Sequence, residues 1–300
     1  MRVVVIGTSG QLATELHRQA RALPVGNCHV LEPRQVDIGQ RDATWTLLDD
    51  ARPDVVVNAA AYTAVDRAET DEAAAFRVNS DGPRYLAAWC QAHGASLVHV
   101  STDYVFDGSK PTPYVETDAT RPLNVYGRSK LAGEAAVREV LTRHVIVRTS
   151  WVFSAHGQNF VKTMLRLARE RDELRVVADQ YGRPTSAADL ASALLAITQA
   201  LVPADAASAC YGTFHFANRG ETTWHALAET VVRLQQSKTG RQPRVVPITT
   251  ADYPTPAARP RSSILSSEKV EQTFGLEPRT WLEALGPVVE ELLRTQVQTT

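Results

Sequence analysis

Cysteine is scarce in this 300-residue chain: Cys28, Cys90 and Cys210 lie far apart, with no Cys-x-x-Cys pair. Neither a disulfide framework nor a zinc site is written in that spacing, and a reducing compartment is the simpler setting. Charge of one sign is also missing, since 32 Lys and Arg face 33 Asp and Glu without segregation. That removes the electrostatic case for nucleic acid or an anionic membrane and leaves a small molecule as the expected partner. Long hydrophobic runs are absent as well. Met1-Arg2 leads straight into Val3 to Ile6, which Gly7 stops, too short a run for a signal-peptide core. No later stretch approaches the roughly 18 apolar residues of a membrane span, so the expected location is the cytoplasm. Glycine and proline, 16 of each, are too few for a low-complexity chain, and 44% apolar residues suffice for a core. At roughly 150 residues per domain, one large or two moderate domains are expected.

What is present begins with Val3-Val4-Val5-Ile6, a β-branched run that fits a strand buried on both faces. Leu12, Leu16, Ala20 and Leu23 follow at helical spacing. Further strands are predicted at Val55 to Val57, Leu97 to Val100 and Val145 to Val147, with a weaker one at His29 to Leu31. Helices are predicted near Arg41 to Ala51 and, as one long Ala-rich element, over Asp71 to His93. This alternation implies an α/β fold with a doubly wound parallel sheet. Beyond Ser150 the rhythm changes to helices near Asn159 to Arg171, Ala187 to Ala200 and Thr223 to Lys238, consistent with a second, smaller lobe. The Pro-rich run Tyr253 to Arg261 can be neither helix interior nor central strand, because proline lacks the amide donor. Trp281, Leu285, Val288 and Leu292 mark a helix face explained by core packing.

Gly7-Thr8-Ser9-Gly10 sits between the first strand and first helix, where a doubly wound fold binds a dinucleotide. A third glycine would fall at 13, where this chain has the still small Ala13. Tyr126 and Lys130 are i, i+4 neighbours on a helix, and a nearby ammonium is expected to lower the phenol's pKa. Thr102 precedes Tyr126 by 24 residues.

The order Gly-rich turn, Thr, Tyr-x-x-x-Lys resembles the extended short-chain dehydrogenase/reductase superfamily and, within it, the dTDP-4-dehydrorhamnose reductases. The matching segments include Asn58 to Asp66, Ser101 to Gly108, Tyr126 to Glu134, Arg148-Thr149-Ser150-Trp151-Val152-Phe153, Asp179-Gln180-x-Gly182-x-Pro184-Thr185 and Pro254 to Pro260. The resemblance implies a Rossmann-type domain over 1–150 with part of about 187–217, and a smaller α/β substrate lobe over about 151–186 and 218–300. It implies hydride transfer from NADPH, with NADH accepted, to C4 of dTDP-4-dehydro-β-L-rhamnose. Thr102, Tyr126 and Lys130 would be catalytic. Gly7, Gly10, Gln11 and Leu12 would meet the cofactor diphosphate, Asp37 and Ile38 the adenine side, and Ala61, Tyr62 and Thr63 the inner ribose region. Asp103 and Trp151 would lie at the sugar, although a core indole also explains Trp151. Arg259 and Arg261 would contact the substrate diphosphate, or else lie solvated on an exposed loop.

Glu32 suits a free 2′-hydroxyl, as in NAD sites, whereas Arg34 favours the 2′-phosphate of NADPH. Some relatives bind Mg²⁺ at a dimer interface through carboxylates corresponding to Glu15 and Glu291. The third position is Ala188, beside Asp189, so ordinary helix faces explain both glutamates better, and either a monomer or a homodimer is expected. Two other readings stand: a nucleotide-sugar epimerase or dehydratase, and a noncatalytic subunit resembling the β subunit of methionine adenosyltransferase. The intact Thr102, Tyr126 and Lys130 oppose the second. A dehydratase would need an acid pair where this chain has Asp103-Tyr104.

Overall fold

A computed structural model describes residues 1–22, 29–30, 36–201 and 208–297. Strand β1 (Arg2–Ile6) is followed by α1 (Gln11–Ala22), β2 (His29–Val30), α2 (Arg41–Ala51) and β3 (Val55–Asn58). Next come α3 (Val65–Ala68), α4 (Glu72–Phe76), a π-helical turn (Arg77–Asp81), α5 (Gly82–His93), β4 (Ser96–Thr102), α6 (Val125–Val140) and β5 (His144–Thr149). The chain continues through β6 (Val152–Phe153), α7 (Phe160–Glu170), β7 (Glu173–Val177), β8 (Tyr181–Gly182), β9 (Thr185–Ser186), α8 (Ala187–Ala200) and β10 (Gly212–His215). It ends with β11 (Thr222–Thr223), α9 (Trp224–Thr239), β12 (Arg244–Ile248), α10 (Glu268–Phe274) and α11 (Trp281–Val297).

The main sheet has the order β10-β5-β4-β3-β1-β2, with every pairing parallel. Its strands are apolar on both faces because helices cover both. Val3, Val5, Val57 and Val147 pack with Leu16 of α1 and Leu190, Leu194 and Ile197 of α8. Val4, Ile6, Val56 and Ile146 pack on the other face with Leu48 of α2, Leu86 and Trp89 of α5 and Val137 of α6. The strand order reverses at β1, flanked by β2 and β3, so the loop leaving β1 opens into the crevice where such sheets bind ligands.

A second core joins Leu165 of α7, Leu174 of β7, Leu227 and Val231 of α9, and Trp281, Leu285 and Leu292 of α11, with Val288 packed against it. Helix starts follow local chemistry here. Asn159, Ser186 and Thr223 accept the amides of Lys162, Asp189 and Ala226, which fixes the N-termini of α7, α8 and α9. Val270 and Phe274 of α10 return to the sheet core, so the last third of the chain touches both cores.

One expectation needs correcting. The single helix over Asp71 to His93 is α4 and α5 joined by the π-helical turn. The widened turn brings the Asn79 carbonyl against α6 so closely that a Cβ on Gly133 would lie 2.0 Å from it. Leu23, Leu31, Glu32, Arg34 and Cys28 fall outside the described residues. Among the described residues, no helix is long and apolar enough to cross a membrane.

Candidate active site

The loop after β1 is shaped by its glycines. Gly7 and Gly10 have φ of 120° and 89°, a region that L side chains avoid. A Cβ on Gly7 would lie 3.4 Å from the Ala13 Cβ and 3.5 Å from the Ala59 carbonyl carbon, whereas one on Gly10 would meet nothing within 4 Å. The result is an open cradle at the N-terminus of α1, where backbone amides and the helix dipole favour a diphosphate, so these residues fit a dinucleotide. The Gln11 side chain is already engaged: its amide donates to the Val152 carbonyl (3.2 Å) and accepts from Asn159 (2.9 Å), both in the second lobe. Leu12 packs against the sheet core.

Asp37, expected on the adenine side, holds Arg77 at 2.6 Å, and that guanidinium keeps its carboxyl below the usual range. Ile38 turns inward against Gly82. Ala61, Tyr62 and Thr63 follow β3, and Asn79 grips Tyr62 by both its amide (2.8 Å) and its carbonyl (3.0 Å). The same Asn79 donates to Ser129 (3.0 Å), which donates to the Tyr126 carbonyl (2.8 Å). The π-helical turn therefore ties the loop after β3 to α6.

Thr102, Tyr126 and Lys130 come together at the carboxyl edge of β4 and on α6, all buried. The Thr102 hydroxyl donates to Asp103 (3.0 Å), and its nearness to the Tyr126 phenol works to lower the phenol's pKa. Burial outweighs that effect and pushes Tyr126 up to about 12. The expectation that Lys130 depresses it does not hold here. The Lys130 ammonium instead donates to the Val100 carbonyl at 2.7 Å, and burial brings its own pKa down to about 8. Burial also raises Asp103 to about 6, opposed by Ser263 and Thr102, and its Oδ2 has no hydrogen-bond partner.

Behind these groups lies a cluster with no predicted role. Glu134, one turn beyond Lys130 and fully buried, accepts Ser101 (2.6 Å), both arms of Arg148 (2.8 and 2.7 Å) and Arg138 (3.1 Å). Arg148 keeps the carboxyl ionised, and Glu134 in turn raises Lys130. Continuing the i, i+4 spacing from Tyr126 through Lys130 to Glu134 was the available signal.

Facing this edge is a cavity of about 450 Å³ lined by apolar Phe160, Met164, Leu174 and Trp224 and by Arg171, Arg175 and Arg259. Trp151 has a φ of 47°, which costs a non-glycine residue on the order of 1–3 kcal/mol, and its indole stacks on Trp224. Arg259 is fixed by Asp66 at 2.8 Å, and Ala257 donates its amide to the same carboxylate (3.2 Å). Arg261 is exposed. The Pro-rich loop is thus strapped to α3 across the cleft.

Glu15 is held by Arg18 at 2.7 Å, with His156 at 3.5 Å, and Glu291 lies exposed on α11. Asp189 accepts Asn218 (2.8 Å) and Arg279 (2.9 Å). Among the described residues, no group of three or more His, Cys, Asp or Glu is arranged to hold a metal ion.

Residues 1–294 match the family described as RmlD substrate binding domain. A dTDP-4-dehydrorhamnose reductase of Sinorhizobium fredii is 47% identical over 293 residues, covering 98% of each chain. Among solved structures, a dTDP-4-dehydrorhamnose reductase from Clostridium acetobutylicum is similar with a TM-score of 0.88 and 38% identity, covering 98% of this chain and 100% of that one. One from Bacillus anthracis, in complex with NADP, follows at 0.85 and 36%, covering 97% and 99%.

Proposed function

From the premise that this chain belongs to the dTDP-4-dehydrorhamnose reductase family, we propose that it reduces the C4 ketone of dTDP-4-dehydro-β-L-rhamnose to dTDP-β-L-rhamnose. NADPH, when bound, supplies the hydride. The observation that carries the reading is Thr102, Tyr126 and Lys130 brought together, all buried, at the carboxyl edge of β4 and on α6.

As the carbonyl carbon is reduced, charge gathers on its oxygen. Tyr126, with a pKa of about 12, is fully protonated at neutral pH and gives its proton to the still more basic alkoxide. Thr102 donates a hydrogen bond to the same oxygen, and Asp103 beside it accepts from sugar hydroxyls. Lys130 would hold the nicotinamide ribose hydroxyls. Gly7, Gly10, Gln11 and Leu12 cradle the cofactor diphosphate, with Asp37 and Ile38 toward adenine and Ala61, Tyr62 and Thr63 toward the inner ribose. Trp151 flanks the sugar. Arg259, aimed by Asp66, and Arg261 take the substrate diphosphate, since guanidinium groups bind phosphate in two-pronged fashion. The first 150 residues, with part of about 187–217, hold the cofactor, and about 151–186 with 218–300 hold the sugar nucleotide. The enzyme works in the cytoplasm as a monomer or homodimer.

The test is the loss of reduced-nicotinamide absorbance with dTDP-4-dehydrorhamnose, run in parallel with NADPH and NADH. Consumption of NADPH with formation of dTDP-rhamnose is expected. A folded protein that binds nucleotide yet consumes neither cofactor would sink this reading in favour of a regulatory subunit.

A further inference from the structure

Trp151 is held from two sides by residues to which no role is assigned. Its backbone lies in the left-handed region, φ 47°, where the chain leaves β5 and crosses into the second lobe. On one face its indole stacks on Trp224, the first residue of α9, with ring centroids 3.6 Å apart and planes 8° from parallel. On the other, Gly182 of β8 approaches so closely that a Cβ there would lie 2.4 Å from Trp151 Cε2 and 2.6 Å from Cζ2. Trp224 is itself braced by Phe160 of α7 (4.7 Å between centroids), and both rings line the 450 Å³ cavity. The Trp151 carbonyl accepts the Thr185 amide (3.2 Å), which pins the backbone as well.

We propose that Gly182 and Trp224 are positioning residues that clamp the Trp151 indole in a single orientation behind the cavity wall that Trp224 forms, an inference that rests on the reductase reading above, which puts the sugar there. An unclamped indole in a left-handed backbone would relax, because nothing local favours that conformation for tryptophan. The stack and the slot left by the missing Cβ replace that local preference with tertiary contacts. The binding wall is therefore formed before ligand arrives, which removes the cost of ordering a large side chain on binding.

The clamp can be broken from either face. Gly182→Ala pushes the ring from one side, and Trp224→Ala removes its support on the other. Titration calorimetry is expected to show dTDP-L-rhamnose binding weakened about three- to tenfold in both variants, the range of an aromatic contact, with NADPH affinity unchanged. Trp224→Phe, which keeps a flat ring, restores most of the loss. Melting temperatures are measured alongside, because a purely structural role would lower stability and the folded fraction without changing the affinity of the folded protein. If both variants bind dTDP-L-rhamnose as the wild type does, or lose NADPH affinity in parallel, the clamp is refuted. A wild type that binds NADPH but not dTDP-L-rhamnose overturns the reductase reading, and the inference with it.

Discussion

Replacing Lys130 by Met is expected to make the protein more stable and to abolish its turnover. The ammonium is 2% exposed, and burial lowers its pKa from 10.5 to about 8. Converted at ~1.4 kcal/mol per pH unit, that gap corresponds to about 3 kcal/mol of penalty in the folded state, Glu134's favourable effect included. Methionine fills a similar volume without charge but forfeits the 2.7 Å hydrogen bond to the Val100 carbonyl, worth ~1 kcal/mol. The net gain is about 2 kcal/mol at pH 7, several degrees in melting temperature for a chain of this size. The pH dependence distinguishes this cause from better packing. Below about 8 the lysine is charged in both states and the penalty is complete. Between about 8 and 10.5 the unfolded chain binds the proton and the folded one does not, so wild-type stability rises with pH and the variant's advantage shrinks. Urea titrations at pH 7, 9 and 10.5 read this directly. Equal stabilities at pH 7, or an advantage that stays constant through the alkaline range, would refute the reasoning.

Tyr126→Phe removes the proton donor and is expected to lower turnover roughly 10²–10⁴-fold with cofactor affinity nearly unchanged, measured by steady-state kinetics and NADPH titration; unaltered turnover excludes the assigned role. Glu134→Gln strands the buried Arg148 and is expected to cost about 3 kcal/mol or more, read as a lower urea midpoint at constant slope, whereas Arg138→Ala, at the partly exposed edge of the same cluster, costs under ~1 kcal/mol. A Glu134→Gln midpoint equal to wild type contradicts that ledger. Burial raises Asp103 to about 6, and only above that pH does the carboxylate offer both oxygens purely as acceptors, so kcat/KM for the sugar is expected to rise through that pH. The rise disappears in Asp103→Asn, and a flat wild-type profile removes Asp103 from the step.

The sheet was legible because its signal is local: runs such as Val55 to Val57 and helix starts at Asn159 and Thr223 depend on neighbours within a few residues. The grouping of Thr102, Tyr126 and Lys130 was legible for a related reason, since a strand end and an i, i+4 pair fix where those side chains emerge. The π-helical turn was not, because its cause is Asn79 meeting Tyr62 and the backbone opposite Gly133, contacts set by tertiary packing. Nor was the sense of Tyr126's shift. Spacing places an ammonium four residues away, but burial decides the sign, and Lys130 turns to the Val100 carbonyl. Trp224 gave no sign either, being a helix's first residue whose partner lies 73 positions earlier in sequence.

The chain's near-zero net charge stands against the two diphosphates of the proposed reaction, and contacts between the first 150 residues and the rest resolve the conflict. Long-range attraction is not required where charge is delivered locally: on the proposed reading, the amides at the start of α1 serve one diphosphate, and Arg259 and Arg261 the other. Such local charge must be aimed, and the aiming residues are the ones that join the lobes. Gln11, at the cradle, holds Val152 and Asn159, and Asn159 caps the helix that supplies Phe160 and Met164 to the cavity. Asp66 fixes Arg259 and the Ala257 amide, and Asn124, which caps the helix carrying Tyr126, donates to the Ala258 carbonyl. Each strap joins a residue among the first 150 to one beyond Ser150. On the proposed reading, these polar contacts, rather than either hydrophobic core, set the spacing between the two ligands.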